Sequence, residues 1–243
     1  MTSAKLSVLT FNLYFSKGQK DLKELLPKYM PDIVCLQEFN VDEQAVSQIE
    51  ELGYELVDYS YSFFRSFKFF SIAIFFNPKT VKYQNDTSIS LSRSFYELIL
   101  FFLRFGKTER TALSSNFIDR ISQKPFRICT FHLTAMQSTN KARIKQLDIT
   151  LKYLKNGKNI PTVVAGDFNY IYRRKVLERM FSAEGYLEAT NNILYTCVFQ
   201  ILKLFRIKSK PDYIWYRGLK KIKTTKLASK YSDHFPVLAK FEF

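Results

Sequence analysis

The chain holds only two histidines, His132 and His234, and each lies where an apolar run meets a loop. His234 follows a carboxylate in the stretch Tyr231-Ser232-Asp233-His234-Phe235-Pro236-Val237. Other apolar runs also end on a polar residue that a strand has no need of. Asn12 follows Leu9-Thr10-Phe11, and Glu38 follows Val34-Cys35-Leu36-Gln37. His132 follows Cys129-Thr130-Phe131, and Asp167 and Asn169 follow Val163-Val164-Ala165-Gly166 with Phe168 between them. Taken singly these are ordinary, because Asn and Asp are common turn residues. Together they repeat one pattern, and polar groups converging at the ends of buried strands make a site. The chemistry such a set suits is phosphoester hydrolysis. Glu38 is a good single ligand for a hard divalent cation such as Mg²⁺, which takes few carboxylates and keeps its waters. The other groups can supply a carboxylate to orient water, an amide to hold the nucleophile and imidazoles for phosphate oxygens. Zinc fits less well, since there is no His-x-x-x-His pair and no paired cysteines.

The elements that must position these residues are legible from periodicity. Residues 6–12 alternate and read as a strand; 32–36 form a short, wholly apolar run suited to a central buried strand. Further strands are expected at 54–59, 71–76, 81–91, 110–118, 126–133, 162–165, 213–216, 222–226 and 237–243. Helices are expected at 21–30, stopped by Pro31, and at 41–52, ended by Gly53. A helix over 139–155 places Ile144, Leu147, Thr150, Leu151 and Leu154 on one side, with Lys141, Arg143, Lys145 and Lys152 mostly turned away. Another is expected over 175–183, with Arg173 and Arg174 at its entrance. Many strands with helices between them, and no Rossmann-like series, suggest two packed sheets with outer helices.

The 243 residues carry a formal charge of +15, are 47% hydrophobic and 24% charged, and contain 24 phenylalanines against seven glycines. That composition is globular, β-rich and poor in linkers. The charge favours a polyanionic partner, whether nucleic acid, an anionic membrane surface or a phosphorylated small molecule, although it is also compatible with a general lysine bias. Cys35, Cys129 and Cys197 are far apart, and the first two sit in strand-like runs, so they read as buried reduced thiols. No signal-like segment opens the chain and no stretch reaches the ~20 apolar residues of a membrane span, so a cytoplasmic, intracellular protein is expected. One segment, at about 59–108, is crowded with phenylalanine and punctuated by Arg65, Lys68, Arg93, Arg104 and Lys107. It reads as core packing with a hydrophobic helix around 95–105, or as an aromatic and basic surface for a membrane interface or for stacking on bases.

Phe11-Asn12, Leu36-Gln37-Glu38, Phe131-His132-Leu133, Gly166-Asp167-Phe168-Asn169 and Ser232-Asp233-His234-Phe235-Pro236-Val237 resemble, in order, the motif set of the endonuclease/exonuclease/phosphatase superfamily. The motifs are short, but their combination spans residues 8–239. The resemblance implies a four-layered α/β sandwich of the DNase I type, formed by one catalytic domain over 1–243, and a Mg²⁺-dependent hydrolase, with Mn²⁺ an alternative. It implies Glu38 as main metal ligand with Asn12 and Asp233 beside it. It implies that Asp167 orients or deprotonates the attacking water, that Asn169 holds that water or the phosphate, and that His132 and His234 stabilise charge on the phosphate. Asp212, in Lys210-Pro211-Asp212, matches the family's aspartate that orients the last histidine. Arg110 sits where many members have a phosphate-contacting arginine, though a solvated arginine at a strand end is an equal reading. Two departures stand out. Tyr14 occupies the place of an acidic residue of abasic-site endonucleases, which argues against a second metal ligand there. His132 replaces their usual tyrosine and matches instead DNase I, sphingomyelinases and inositol-phosphate phosphatases.

Three functions fit these observations. A monomeric nuclease or nucleic-acid end-processing phosphodiesterase is favoured by the charge. A hydrolase of a sphingomyelin-like lipid or phosphorylated head group, with peripheral contact to an anionic membrane, is favoured by the Phe-rich segment and by His132-Leu133-Thr134-Ala135. A non-catalytic binding module on this fold is disfavoured by the complete polar set.

Overall fold

A computed structural model describes residues 4–65, 68–92, 110–134, 139–157, 159–201 and 205–243. The helix expected around 95–105 and the basic residues Arg93, Arg104 and Lys107 lie outside the described residues.

Two six-stranded sheets form the frame. The first runs β13 (Lys220–Lys226), β14 (Val237–Glu242), β1 (Lys5–Asn12), β2 (Ile33–Phe39), β4 (Lys68–Phe76), β3 (Glu55–Arg65). The second runs β5 (Val81–Ser90), β6 (Thr111–Asp119), β7 (Pro125–His132), β8 (Thr162–Asp167), β12 (Asp212–Arg217), β9 (Leu187–Glu188). Strict alternation builds the layers. Leu6 and Val8 on β1, Ile33 and Cys35 on β2, Phe126 and Ile128 on β7 and Val163 and Ala165 on β8 meet between the sheets. The opposite faces carry helices. Leu9, Phe11, Val34 and Leu36 pack against Leu22, Leu25 and Leu26 of α1 (Gln19–Tyr29) and Ala45 and Ile49 of α2 (Glu43–Glu50). Cys129, Phe131 and Val164 pack against Leu147, Leu151 and Leu154 of α3 (Asn140–Lys155) and Leu177 and Phe181 of α4 (Arg174–Ala183). The result is the four-layered α/β sandwich. Each fully buried large apolar side chain contributes roughly 1.5–3 kcal/mol to it.

Each sheet contains one parallel pair, β1 with β2 and β7 with β8; the other pairings are antiparallel. A parallel pair needs a long crossover, which α1 supplies in the first sheet and α3, capped by the Thr139 hydroxyl on the Ala142 N–H, in the second. One expectation needs correction. Arg143 on α3 is buried rather than turned away; its Nε donates to Thr134 O at 3.0 Å and its Nη1 to Asn140 Oδ1 at 2.9 Å. Between α4 and β12, where no element was expected from sequence, lie β9, a 3-10 turn at Ala189–Asn192 and a separate hairpin of β10 (Cys197–Ile201) and β11 (Phe205–Ser209). Cys35, Cys129 and Cys197 are free and buried.

Candidate active site

Parallel strands end at the same edge, so their last side chains emerge together. Asn12 closes β1 opposite Gln37, and His132 closes β7 opposite Asp167. β12 runs antiparallel to β8, which sets its first residue, Asp212, opposite Asp167. β14 runs antiparallel to β1 with Val237 opposite Thr10, so the 233–234 segment leading into it returns to the same edge. Asn12, His132, Asp167 and Asp212 share the alternation of the residues between the sheets, so they point inward without distortion. Glu38 does not. By alternation it belongs with Val34 and Leu36 on the helix face. The β2–β4 register breaks between Leu36 and Phe39, and Glu38 adopts φ 56°. This bulge re-aims its carboxylate into the site, as bulges next to functional residues do.

The side chains form one network around Asp167 Oδ2. Asn12 Nδ2 donates to it at 2.8 Å and to Glu38 Oε1 at 3.3 Å. His132 Nε2 lies 3.6 Å and His234 Nε2 4.0 Å from the same oxygen. Asp167 Oδ1 accepts the Asn169 N–H at 2.8 Å, and the Asn169 Nδ2 donates to Leu133 O at 3.1 Å. Asp212 Oδ2 meets His234 Nδ1 at 2.8 Å. Strained backbone holds the acids. Tyr14, Phe15 and Ser16 are three successive left-handed residues, and Asn169 is another; each costs on the order of 1–3 kcal/mol. The turn points the Phe15 N–H at Glu38 Oε2, 2.9 Å away, and the Tyr14 N–H at Asn12 Oδ1, 3.0 Å away. The asparagine oxygen is therefore engaged by the turn, while its NH₂ faces the two acids.

Protons are distributed unevenly over this network. Burial lowers the His132 pKa to about 3, and Arg110 and His234 act in the same direction against Asp167. His132 is thus a neutral imidazole, and its approach to carboxylates is not ion pairing. His234 is equally buried, which lowers its pKa, but Asp212, Cys197 and Asp167 outweigh this and carry it well above the ordinary value. It is the imidazolium of the pair. Burial pushes Glu38 up to about 7 and raises Asp233 as well.

These two carboxylates test the fit of a divalent cation. Both are oxygen donors whose charged form lacks sufficient compensation, and Asp233 Oδ1 is buried without a hydrogen-bond partner. A hard cation would relieve both. Ligand atoms of Asp167, Asp212 and His234, and of Cys197, Asp233 and His234, also lie within 4.8 Å of one another. Both sets include His234, whose Nδ1 meets Asp212 Oδ2 at 2.8 Å.

Arg110 is neither solvated nor turned outward: it is buried, and its Nη1 donates to His132 O at 3.0 Å, fixing the end of β7. Sequence reasoning missed a polar layer directly beneath the site. Gln37 Nε2 donates to Thr130 Oγ1 at 3.2 Å across the sheets, and Thr10 Oγ1 donates to Gln37 Oε1 at 3.4 Å. The signal for it was a polar residue at each inward strand position. Ser232 was missed too; its hydroxyl donates to Asn12 O at 2.8 Å and accepts the His234 N–H at 3.0 Å.

A sequence model of the Endonuclease/Exonuclease/phosphatase family matches residues 9–234. The chain belongs to this family. No curated protein matches it in sequence. Among solved structures of similar fold is the human Nocturnin catalytic domain with bound sulfate anion, at TM-score 0.79 and 22% identity over 99% of this chain and 95% of that one. D. rerio TDP2 complexed with single strand DNA product aligns at TM-score 0.77 and 18% identity over 99% and 100%. Bacteroides thetaiotaomicron mannosyl-6-phosphatase Bt3783 aligns at TM-score 0.73 and 16% identity over 98% and 100%. The likenesses bear on fold alone, and the family members they represent differ in the substrates their names carry.

Proposed function

We propose that this protein is a divalent-metal-dependent phosphoester hydrolase, with Mg²⁺ the fitting ion, acting on nucleic acid. The carrying observation is the convergence on Asp167 Oδ2 of a neutral imidazole, an imidazolium and an amide. Asp167 is the group that orients a water and takes its proton. His234, protonated through Asp212, faces the developing phosphate charge from one side. His132, held neutral, offers a hydrogen bond from the other. Asn12 aligns Asp167 and Glu38. Glu38 and Asp233 hold the cation, which when bound supplies charge stabilisation to the phosphate and leaving oxygen. Asn169 fixes Asp167 through its backbone and borders the place of the water.

The formal charge of +15 supports nucleic acid. So do tyrosines near site residues in sequence that carry a lysine over the ring: Tyr14 with Lys17 at 4.4 Å and Tyr231 with Lys20 at 5.4 Å. Such pairs offer a base a stacking face and a phosphate a cation. The single strand DNA product complexed with D. rerio TDP2 is consistent with this reading. A lipid head group is the second reading, favoured by the half-exposed Tyr61 and Phe69 in mutual contact on the β3–β4 hairpin.

The test is a panel of plasmid DNA, single-stranded DNA, RNA, sphingomyelin and inositol phosphates, assayed with Mg²⁺ and with EDTA. Turnover of a nucleic acid that EDTA abolishes supports the proposal. Turnover of only a lipid or inositol phosphate selects the second reading, and no turnover by wild-type protein on any arm sinks both.

A further inference from the structure

Thr196 is fully buried at the base of the β10–β11 hairpin. Its hydroxyl serves one residue twice. Oγ1 donates to Asp212 Oδ2 at 2.7 Å and accepts the Asp212 N–H at 3.1 Å. The oxygen it reaches is the one that meets His234 Nδ1 at 2.8 Å. The threonine itself has no freedom to drift. Its N–H donates to Ser209 O on β11, and its carbonyl accepts from the Phe235 N–H, next to the histidine. The following residue, Cys197, forms a backbone bridge with His234, and the Val198 N–H donates to Asp233 O.

An aspartate carboxylate rotates broadly about its last torsion. One donor from His234 leaves that rotation coupled to motion of the ring. A second donor on the same oxygen, from a side chain fixed by backbone bonds, leaves one position. We propose that Thr196 is the positioning residue of the Asp212–His234 pair, its hydroxyl locking Asp212 Oδ2 against Nδ1 so that Nε2 is directed at Asp167. The effect on rate rests on the hydrolase reading; the effect on the imidazole does not.

The two histidines make this directly measurable. In protein labelled with ¹⁵N-histidine, Thr196→Val, which keeps the shape and removes the hydroxyl, is expected to shift or broaden the His234 Nδ1–H signal and leave His132 unchanged. Thr196→Ser is expected to restore it. On whichever substrate the wild type turns over, kcat should fall about 10- to 100-fold in the valine variant. KM should change less than about twofold, and serine should recover kcat. Wild-type His234 signals in Thr196→Val overturn the proposal, as does a serine variant that behaves like valine, or an altered signal with unchanged kcat. If the valine variant does not fold, Thr196→Ala replaces it under the same criteria. A wild type without turnover removes the hydrolase reading, while the imidazole signals still decide the role of Thr196.

Discussion

At the residue scale the proton on Glu38 sets the first prediction. Its carboxyl is pushed up to about 7, mainly by burial, from an ordinary 4.5. Below about pH 7 that proton occupies the place of a cation, so Mg²⁺ binding must expel it. Apparent Mg²⁺ affinity is therefore expected to fall as pH drops below about 7, approaching tenfold per pH unit. Calorimetry in buffers of different ionisation enthalpy checks this; an affinity flat between about pH 5.5 and 7 would contradict it. The sign for stability of the metal-free protein is the opposite. A raised carboxyl favours the metal-free fold below the ordinary value and loses that contribution as pH rises through about 7. The second prediction concerns Asp167. Asp167→Asn keeps the size of the side chain and removes the base, so kcat is expected to fall about 10²- to 10⁴-fold with the fold intact. Retained turnover by the asparagine variant would remove Asp167 from the role of base.

At the element scale the site depends on how closely β7 and β8 approach. Gly166 lies opposite Phe131, one position before the His132–Asp167 pair. A Cβ there would sit 2.3 Å from the Phe131 carbonyl oxygen, a backbone atom that cannot swing aside. Gly166→Ala must separate the parallel strands and with them His132 and Asp167. It is expected to destabilise the protein by about 3 kcal/mol or more in denaturant titration, and to lose activity. A change within about 0.5 kcal/mol, the range of ordinary surface substitutions, would show the strands to be less rigidly paired. The bulge at Glu38 is the counterpart on the other sheet, where irregular pairing rather than close pairing places the side chain.

At the scale of the whole molecule neither sheet holds the site alone. Asn12 and Glu38 come from one sheet and His132, Asp167 and Asp212 from the other, and the Asn12–Asp167 hydrogen bond spans 155 residues of sequence. The site is therefore expected to be lost in the same cooperative transition as the inter-sheet core. The excess of positive charge acts at this scale too. If the substrate is nucleic acid, KM should rise by about 10³-fold or more between roughly 50 and 200 mM salt where several phosphates are contacted. A salt-independent KM would point instead to a small substrate or to lipid insertion by the exposed aromatic residues of the β3–β4 hairpin. Among the described residues no helix is long and apolar enough to cross a membrane.

The strand ends carrying Asn12, His132 and Asp167 were readable in the sequence because an apolar run and a parity rule suffice: a side chain two or four positions beyond an inward Val or Ile also points inward. The presence of the four helices followed from apolar periodicity and their bounds only to within about two residues, since 21–30 is Gln19–Tyr29 and 41–52 is Glu43–Glu50. Glu38 was found by its residue type, yet its aim was not, since a bulge changes parity and is set by how β2 pairs with a strand about 35 positions away. Arg143 was misplaced because a long basic side chain can bury itself when backbone carbonyls receive it, and periodicity does not see those carbonyls. The β10–β11 hairpin and Thr196 carried no local signal. Their meaning lies in hydrogen bonds to Asp212 and to the 233–235 segment, contacts between residues distant in sequence. Sequence determined which chemical groups are present and which face each strand offers. Tertiary structure decided which of them share a proton, because that depends on ångström distances across two sheets that no single stretch encodes.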